Sequence, residues 1–110
     1  ALKKDLSIRG LNDVYGVLLT PHQREVIRNY YDYDLSLAEI AENSGISRQA
    51  VRDVIVKAVE QLKFYEDKLG FSEKIKIMDG GISDALSSLE QGAYDDAKNV
   101  LKRLKQNLEE

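Results

Sequence analysis

The chain has no cysteine and no tryptophan, and only one proline, one histidine and two phenylalanines in 110 residues. Without cysteine, neither a disulfide framework nor a cysteine-based metal site can form. One proline and 7 glycines leave few irregular segments. No apolar run approaches the roughly 18 residues needed to span a bilayer. The N-terminus, Ala1-Leu-Lys-Lys-Asp-Leu-Ser, carries charge but no following apolar run of the signal-peptide type. Because the first residue is not Met, a trimmed or processed start is expected. Together these absences predict a cytoplasmic protein without membrane insertion. Metal-ligand spacing, a Gly-rich phosphate loop and a nucleophile with a base beside it are all missing. The expectation is therefore a non-enzyme, with no catalytic residue, no cofactor and no metal.

Positive charge is also short: 16 Lys and Arg stand against 19 Asp and Glu, a net charge of −3. Phosphate contacts dominate general nucleic-acid affinity and need cations presented together. Any nucleic-acid binding is expected to be weak and salt-dependent, concentrated on a small positive region.

What is present is helical. A hydrophobic content of 43% suffices for a packed core. The longest β-branched run, Val54-Ile55-Val56, sits inside a helical pattern, so the fold class is read as all-α. The most informative stretch runs from Leu35 to Ile55. Ser36 with Glu39 forms a capping box. Leu37, Ile40 and Ala41 make the apolar stripe of a first helix. Gly45 tolerates the positive φ of a sharp stop, and Ser47 is a good N-cap for a second helix. Val51, Ile55, Ala58, Leu62, Tyr65 and Leu69 carry that second helix to about Leu69, where Gly70 ends it. This is the spacing of a helix-turn-helix, whose outer face can enter a nucleic-acid groove.

Upstream, Thr20-Pro21-His22-Gln23 combines an N-cap, a proline at the first helical position and a glutamine to close a capping box. Val26, Ile27, Tyr30 and Tyr31 are its expected buried face, with Asp32-Tyr33-Asp34 as a connector. An earlier segment, Leu11 to Leu19, places Val14, Tyr15, Leu18 and Leu19 at helical spacing. The tyrosines are expected to pack in the core with hydroxyls at the surface, rather than to stack on bases. His22, in a first turn, reads as a surface residue.

Two resemblances follow. Leu19-Thr-Pro-His-Gln-Arg-Glu-Val-Ile, then Leu37-Ala-Glu-Ile-Ala-Glu-Asn-Ser-Gly-Ile-Ser-Arg-Gln-Ala-Val, resembles region 4 of bacterial sigma factors. Ser47-Arg48-Gln49-Ala50-Val51-Arg52-Asp53, the Tyr30-Tyr31 pair and Tyr65-Glu66-Asp67-Lys68-Leu69 resemble the YlxM family of small bacterial helix-turn-helix proteins. The resemblance covers about residues 10 to 70. It implies a role with the signal recognition particle, because genes of that family commonly lie beside the gene for the particle's protein subunit. The implied partners are DNA or the particle's RNA, and that protein subunit. A DNA-binding transcription regulator and a protein-interaction module without nucleic-acid binding are the alternatives. The chain departs from the family pattern at Val54, Val56 and Val59, where members tend to be more polar and basic. On a helical projection Val59 borders the main apolar stripe and Val56 lies beyond it.

The candidate nucleic-acid-binding residues are Ser47, Arg48, Gln49, Arg52 and Lys57, since the start of the second motif helix is where side chains reach base edges. On projection Arg52 sits on the Val56 side, while Lys57 shares the outer face with Gln49 and Asp53. Arg24 and Arg28 are expected to extend the positive region, and Asp32 and Asp34 to counter it.

The predicted organisation is a helix-turn-helix domain over residues 1–70, a linker over 71–81 whose stretch Phe71 to Asp79 is either linker or a short helix before a break at Gly80-Gly81, and a C-terminal helical hairpin over 82–110. Ile82, Ala85, Leu86 and Leu89 mark its first helix; Val100, Leu101, Leu104 and Leu108 mark its second. Gly92-x-Tyr94-x-x-Ala97 resembles the turn of a tetratricopeptide helix pair, and one such pair cannot bury its face alone. The hairpin is expected to pack on the domain or on a partner chain, and surplus apolar surface predicts a homodimer.

Overall fold

The computed structural model describes residues 4–109. Among them are six α-helices and no strand. They divide into two compact units, residues 1–70 and 71–110.

In the first unit α1 (Ser7–Tyr15), α2 (Pro21–Ile27), α3 (Leu37–Ser44) and α4 (Arg48–Leu69) are set by local chemistry. Thr20 and Gln23 close the expected capping box on α2, and Ser36 and Glu39 close the one on α3. Two backbone N–H groups otherwise left without an acceptor are satisfied at each of these starts. Between α1 and α2 lies a 3₁₀ turn, Gly16–Leu18. The helix here thus begins earlier and ends sooner than the Leu11–Leu19 pattern predicts. Ile8, Tyr15 and Leu19 are buried, whereas Val17 and Leu18 are exposed. The tighter turn rotates the apolar positions, so Leu18 leaves the core and Leu19 enters it.

After α2 the chain widens into a π-helical turn, Arg28–Asp32. Its bonds reach five residues back, from Tyr33 N–H to the Arg28 carbonyl at 3.1 Å. Tyr30 and Tyr31 are both buried there, their rings edge to face with centroids 5.1 Å apart. Core packing of the two tyrosines is therefore what the fold adopts.

The hub is α4. Helices α1, α2 and α3 all pack on it, against Val51, Ile55, Ala58 and Leu62, none more than 1% exposed. Polar locks tie neighbours to the same helix. Tyr15 Oη donates to Glu66 at 2.5 Å, and Gln23 Nε2 donates to Gln61 at 3.0 Å.

The second unit is a helical hairpin of α5 (Phe71–Glu90) and α6 (Tyr94–Glu109). Residues 71–81, expected to be a linker or a short helix ahead of a break, are the first half of α5, and Gly80-Gly81 lies inside that helix without breaking it. The reason is packing. A Cβ on Gly81 would stand 2.7 Å from Leu104 Cδ1, so the missing side chain lets α6 come close. Glycine here serves helix approach rather than chain reversal. The reversal falls at Gly92, with φ +76°. Gly92 N–H donates to the Leu89 carbonyl and Ala93 N–H to the Ser88 carbonyl at 2.8 Å, closing the C-terminus of α5. Helices α5 and α6 pack together, and Ala85, Ala97 and Leu104 are buried, whereas Ile82, Leu86, Leu89, Leu101 and Leu108 of the expected pattern stay exposed. Asp95 and Asp96 occupy the first turn of α6, where acidic charge favours the helix dipole. Among the described residues no helix is long and apolar enough to cross a membrane.

Candidate nucleic-acid interface

The turn between α3 and α4 is built from backbone bonds. Gly45 takes φ +70°, and its N–H and that of Ile46 both donate to the Ala41 carbonyl, at 2.9 and 3.2 Å. Ser47 then caps α4, its Oγ accepting from Ala50 N–H at 3.0 Å. That bond commits the serine hydroxyl to the helix start. Ile40 is fully buried and Ala41 nearly so, which lets α4 cross α3 closely. Helix α3, the Gly45 turn and helix α4 make a helix-turn-helix.

The exposed start of α4 carries Arg48, Gln49 and Arg52. At about 100° per residue, Arg48 and Arg52 line one edge of the exposed face, with Val56 beside them. Lys57 lies on the opposite edge. Gln49 is not idle: its Nε2 donates to Asp53 Oδ1 at 2.9 Å, one turn on. On projection Gln49 lies between Arg52 and Asp53, with Lys57 beyond Asp53 on the same outer face. Val59 is partly buried against the core and Val56 is 40% exposed. Of the three valines, only Val56 adds apolar surface to the outer face, where Phe64 is exposed as well.

Lys63 escaped the sequence reading. It is exposed and falls on the Arg48–Arg52 edge, three turns further along α4. Its signal was the 11-residue spacing from Arg52. Asp5 lies close enough for Lys63 to help hold its carboxyl below the usual range, behind the larger effect of hydrogen bonds from Ser7.

The neighbouring acidic charges have their own partners. Asp32 and Asp34 each pair with a cation from the start of the chain. Arg9 Nε donates to Asp32 Oδ1 at 3.2 Å, and the Lys4 ammonium pairs with Asp34. The hydrogen bond and charge of Lys4 hold the Asp34 carboxyl below its ordinary value of 3.8. Arg24 does not extend the α4 surface. Arg24 and Arg28 line a separate open groove of about 590 Å³ with Pro21, Asn29 and Tyr33. Arg24 Nε is buried beside Gly16 and Asn12, which turns the guanidinium inward.

The comparisons agree with this class of protein. The family model UPF0122, described as "Putative helix-turn-helix protein, YlxM / p13 like", matches residues 2–108. A UPF0122 protein of Clostridium kluyveri is 50% identical over 82 residues, covering 72% of this chain and 74% of its own. One from Desulforamulus reducens is 38% identical over 104 residues, 94% of this chain and 89% of its own. One from Clostridium perfringens is 38% identical over 109 residues, 99% and 96% of the two chains. The chain belongs to the UPF0122 family of YlxM/p13-like helix-turn-helix proteins. The match runs through the hairpin as well as the helix-turn-helix, so both units are part of the family's pattern.

Proposed function

We propose that this protein is a nucleic-acid-binding helix-turn-helix protein acting in the cytoplasm as an accessory of the signal recognition particle pathway. It contacts the particle's RNA, its protein subunit, or both, and it works as a homodimer. The observation that carries the nucleic-acid reading is the exposed trio Arg48, Gln49 and Arg52 immediately after the Ser47 cap. In helix-turn-helix proteins this position reaches the nucleic acid. The particle itself enters through the YlxM resemblance.

On an RNA partner the arginines contact phosphates or an exposed loop, because the deep, narrow major groove of A-form RNA excludes side chains. Gln49 gives up its bond to Asp53 when it contacts a base. Few cations are available, so the salt dependence is shallow: on DNA, log affinity falls with log salt at about −0.9 per phosphate neutralised.

Affinity capture of the tagged protein from its native lysate, with and without nuclease, tests the reading. Recovery of the particle's protein subunit that persists after nuclease supports direct protein contact; recovery lost with nuclease supports an RNA bridge. Sheared DNA or RNA polymerase without any particle component would replace this reading with a DNA-binding transcription regulator. Arg48→Glu with Arg52→Glu is expected to abolish nucleic-acid binding at unchanged helicity. Binding that survives the pair moves the contact surface away from α4. The net charge of −3 and the exposed Val56 favour a second reading, a protein-interaction module that keeps the fold as a scaffold. Loss of all nucleic-acid binding in the wild type, with partner capture intact, would select it.

A further inference from the structure

The hairpin buries little. Its inner seam holds Ala85, Ala97 and Leu104, while many of its larger apolar side chains stay outside. Ile75, Ile82, Leu86 and Leu89 are 44–56% exposed on α5. At about 100° per residue they fall within about 60° of one another, a single stripe. Tyr94, Leu101 and Leu108 repeat every seventh residue on α6 and are 50–69% exposed. In each helix the stripe lies about a quarter turn ahead of the inner seam, in the same rotational sense. The helices run antiparallel, so equal rotations carry both stripes to the same side of the hairpin. The outcome is one apolar face, about 25 Å long and two helix widths across, of the order of the ~800 Å² that a partner contributes to a standard interface.

The charges along its two margins say what covers it. On the α5 margin stand Lys76, Asp79 and Glu90; on the α6 margin stand Asp95, Lys98, Lys102, Lys105 and Glu109, all exposed. Leu104 seats on Gly81, so those two residues are level. Counting outward from them, Glu109 is level with Lys76, Lys105 lies within one residue of Asp79, and Lys98 lies within one turn of Glu90. Two of these levels, Lys76 with Glu109 and Asp79 with Lys105, carry opposite charges on opposite margins; Glu90 is level with Asp95 and within one turn of Lys98, and Lys102 is level with Ser83.

We infer that this face is covered by the same face of a second copy of the chain, related by a two-fold axis parallel to the hairpin helices. Each α5 then lies on the partner copy's α6, antiparallel to it, in a four-helix bundle. Lys76 meets Glu109 of the second copy and Asp79 meets its Lys105, while Glu90 lies within one turn of its Lys98 and level with its Asp95. The apolar levels interleave as well: Leu101 of the second copy falls between Ile82 and Leu86. A two-fold axis across the helices would instead stack α6 on α6, with Lys98 and Lys105 of one copy on a margin shared with the same lysines of the other. Like charges select against that arrangement. The inference rests on the homodimer reading above and adds its surface and its geometry.

Sedimentation of the full chain at micromolar concentration tests it, with three variants. The wild type is expected to be a dimer, and Leu86→Glu with Leu101→Glu a monomer that keeps the tyrosine near-UV signal of the first unit. Lys98→Glu with Lys105→Glu is expected to weaken dimerisation at least about tenfold, and adding Asp79→Lys and Glu90→Lys to bring it back. A monomeric wild type overturns both the homodimer reading and this face. A dimer that survives Leu86→Glu with Leu101→Glu overturns the face and leaves the homodimer standing. A lysine reversal without effect, or one the compensating pair does not rescue, overturns the parallel-axis arrangement.

Discussion

The two units bury their apolar residues by different means. In the first, α1, α2 and α3 surround α4, and Ile8, Ile27, Ile40, Ile55 and Leu62 reach zero or near-zero exposure. In the second, two helices meet along small residues, so the seam is thin and the larger side chains remain outside. The contrast follows from geometry. A helix ringed by three others can bury a wide face, whereas one half of a hairpin has a single neighbour. The helix-turn-helix unit has a closed core of its own, and the hairpin, at 40 residues, stands at the size below which a core alone rarely sustains a fold.

Cutting the chain at Gly70 is expected to have the largest effect. Residues 1–70 should melt cooperatively by circular dichroism. Residues 71–110 alone should show no cooperative transition at low micromolar concentration; a sharp one would dissolve the contrast. Within the intact chain, Leu62→Ala removes a side chain with no exposure and is expected to cost about 2–5 kcal/mol in urea unfolding. Ala85→Gly in the hairpin should cost only about 1 kcal/mol. Equal losses would mean that the hairpin core is as tightly built as the hub.

A subtler comparison lies inside α5. Gly80 has open space where a Cβ would go, while Gly81 faces Leu104. Gly80→Ala should stabilise by about 0.5–1 kcal/mol through helix propensity. Gly81→Ala meets Leu104 and should be net destabilising by about 1 kcal/mol, the overpacking exceeding the propensity gain. If both stabilise, the close approach of α5 and α6 is not what keeps Gly81 a glycine.

The smallest effect is electrostatic and belongs to the first unit. Lys4 depresses the Asp34 carboxyl below 3.8 in the folded state. Such a group stabilises the fold above its unfolded value, and that contribution is lost as pH falls through the lowered folded value. Asp34→Asn should therefore lower the melting temperature slightly at neutral pH, with the difference from wild type fading in strong acid. Because Asp34 is fully exposed, salt should shrink the effect. A difference that grows on acidification would reverse the sign of this pairing.

How much was legible follows the same division. Capping boxes at Thr20 and Ser36, the cap at Ser47, the stops at Gly45 and Gly70 and the stripe of α4 were all readable, because each is a contact within a few residues of chain. The candidate interface was readable for that reason too: Arg48, Gln49 and Arg52 follow directly from the motif spacing. The fates of Asp32, Asp34 and Arg24 were not, since their partners Lys4, Arg9 and Asn12 come from α1 and the chain before it. Lys63 joins the arginine edge only after three turns of α4.

Gly80-Gly81 marks the boundary most clearly. Local rules make two glycines a break, and only the neighbouring Leu104 turns them into a helix contact. What the sequence by itself determined is the all-α class, the start of α2, the ends of α3 and α4, the helix-turn-helix and the family, all written in short-range spacing and caps. Tertiary structure alone decided which charges cancel, which glycine is a packing seat and which apolar stripes share one face. Those depend on residues brought together across the chain, where helix rotation and register, rather than local propensity, set the neighbours.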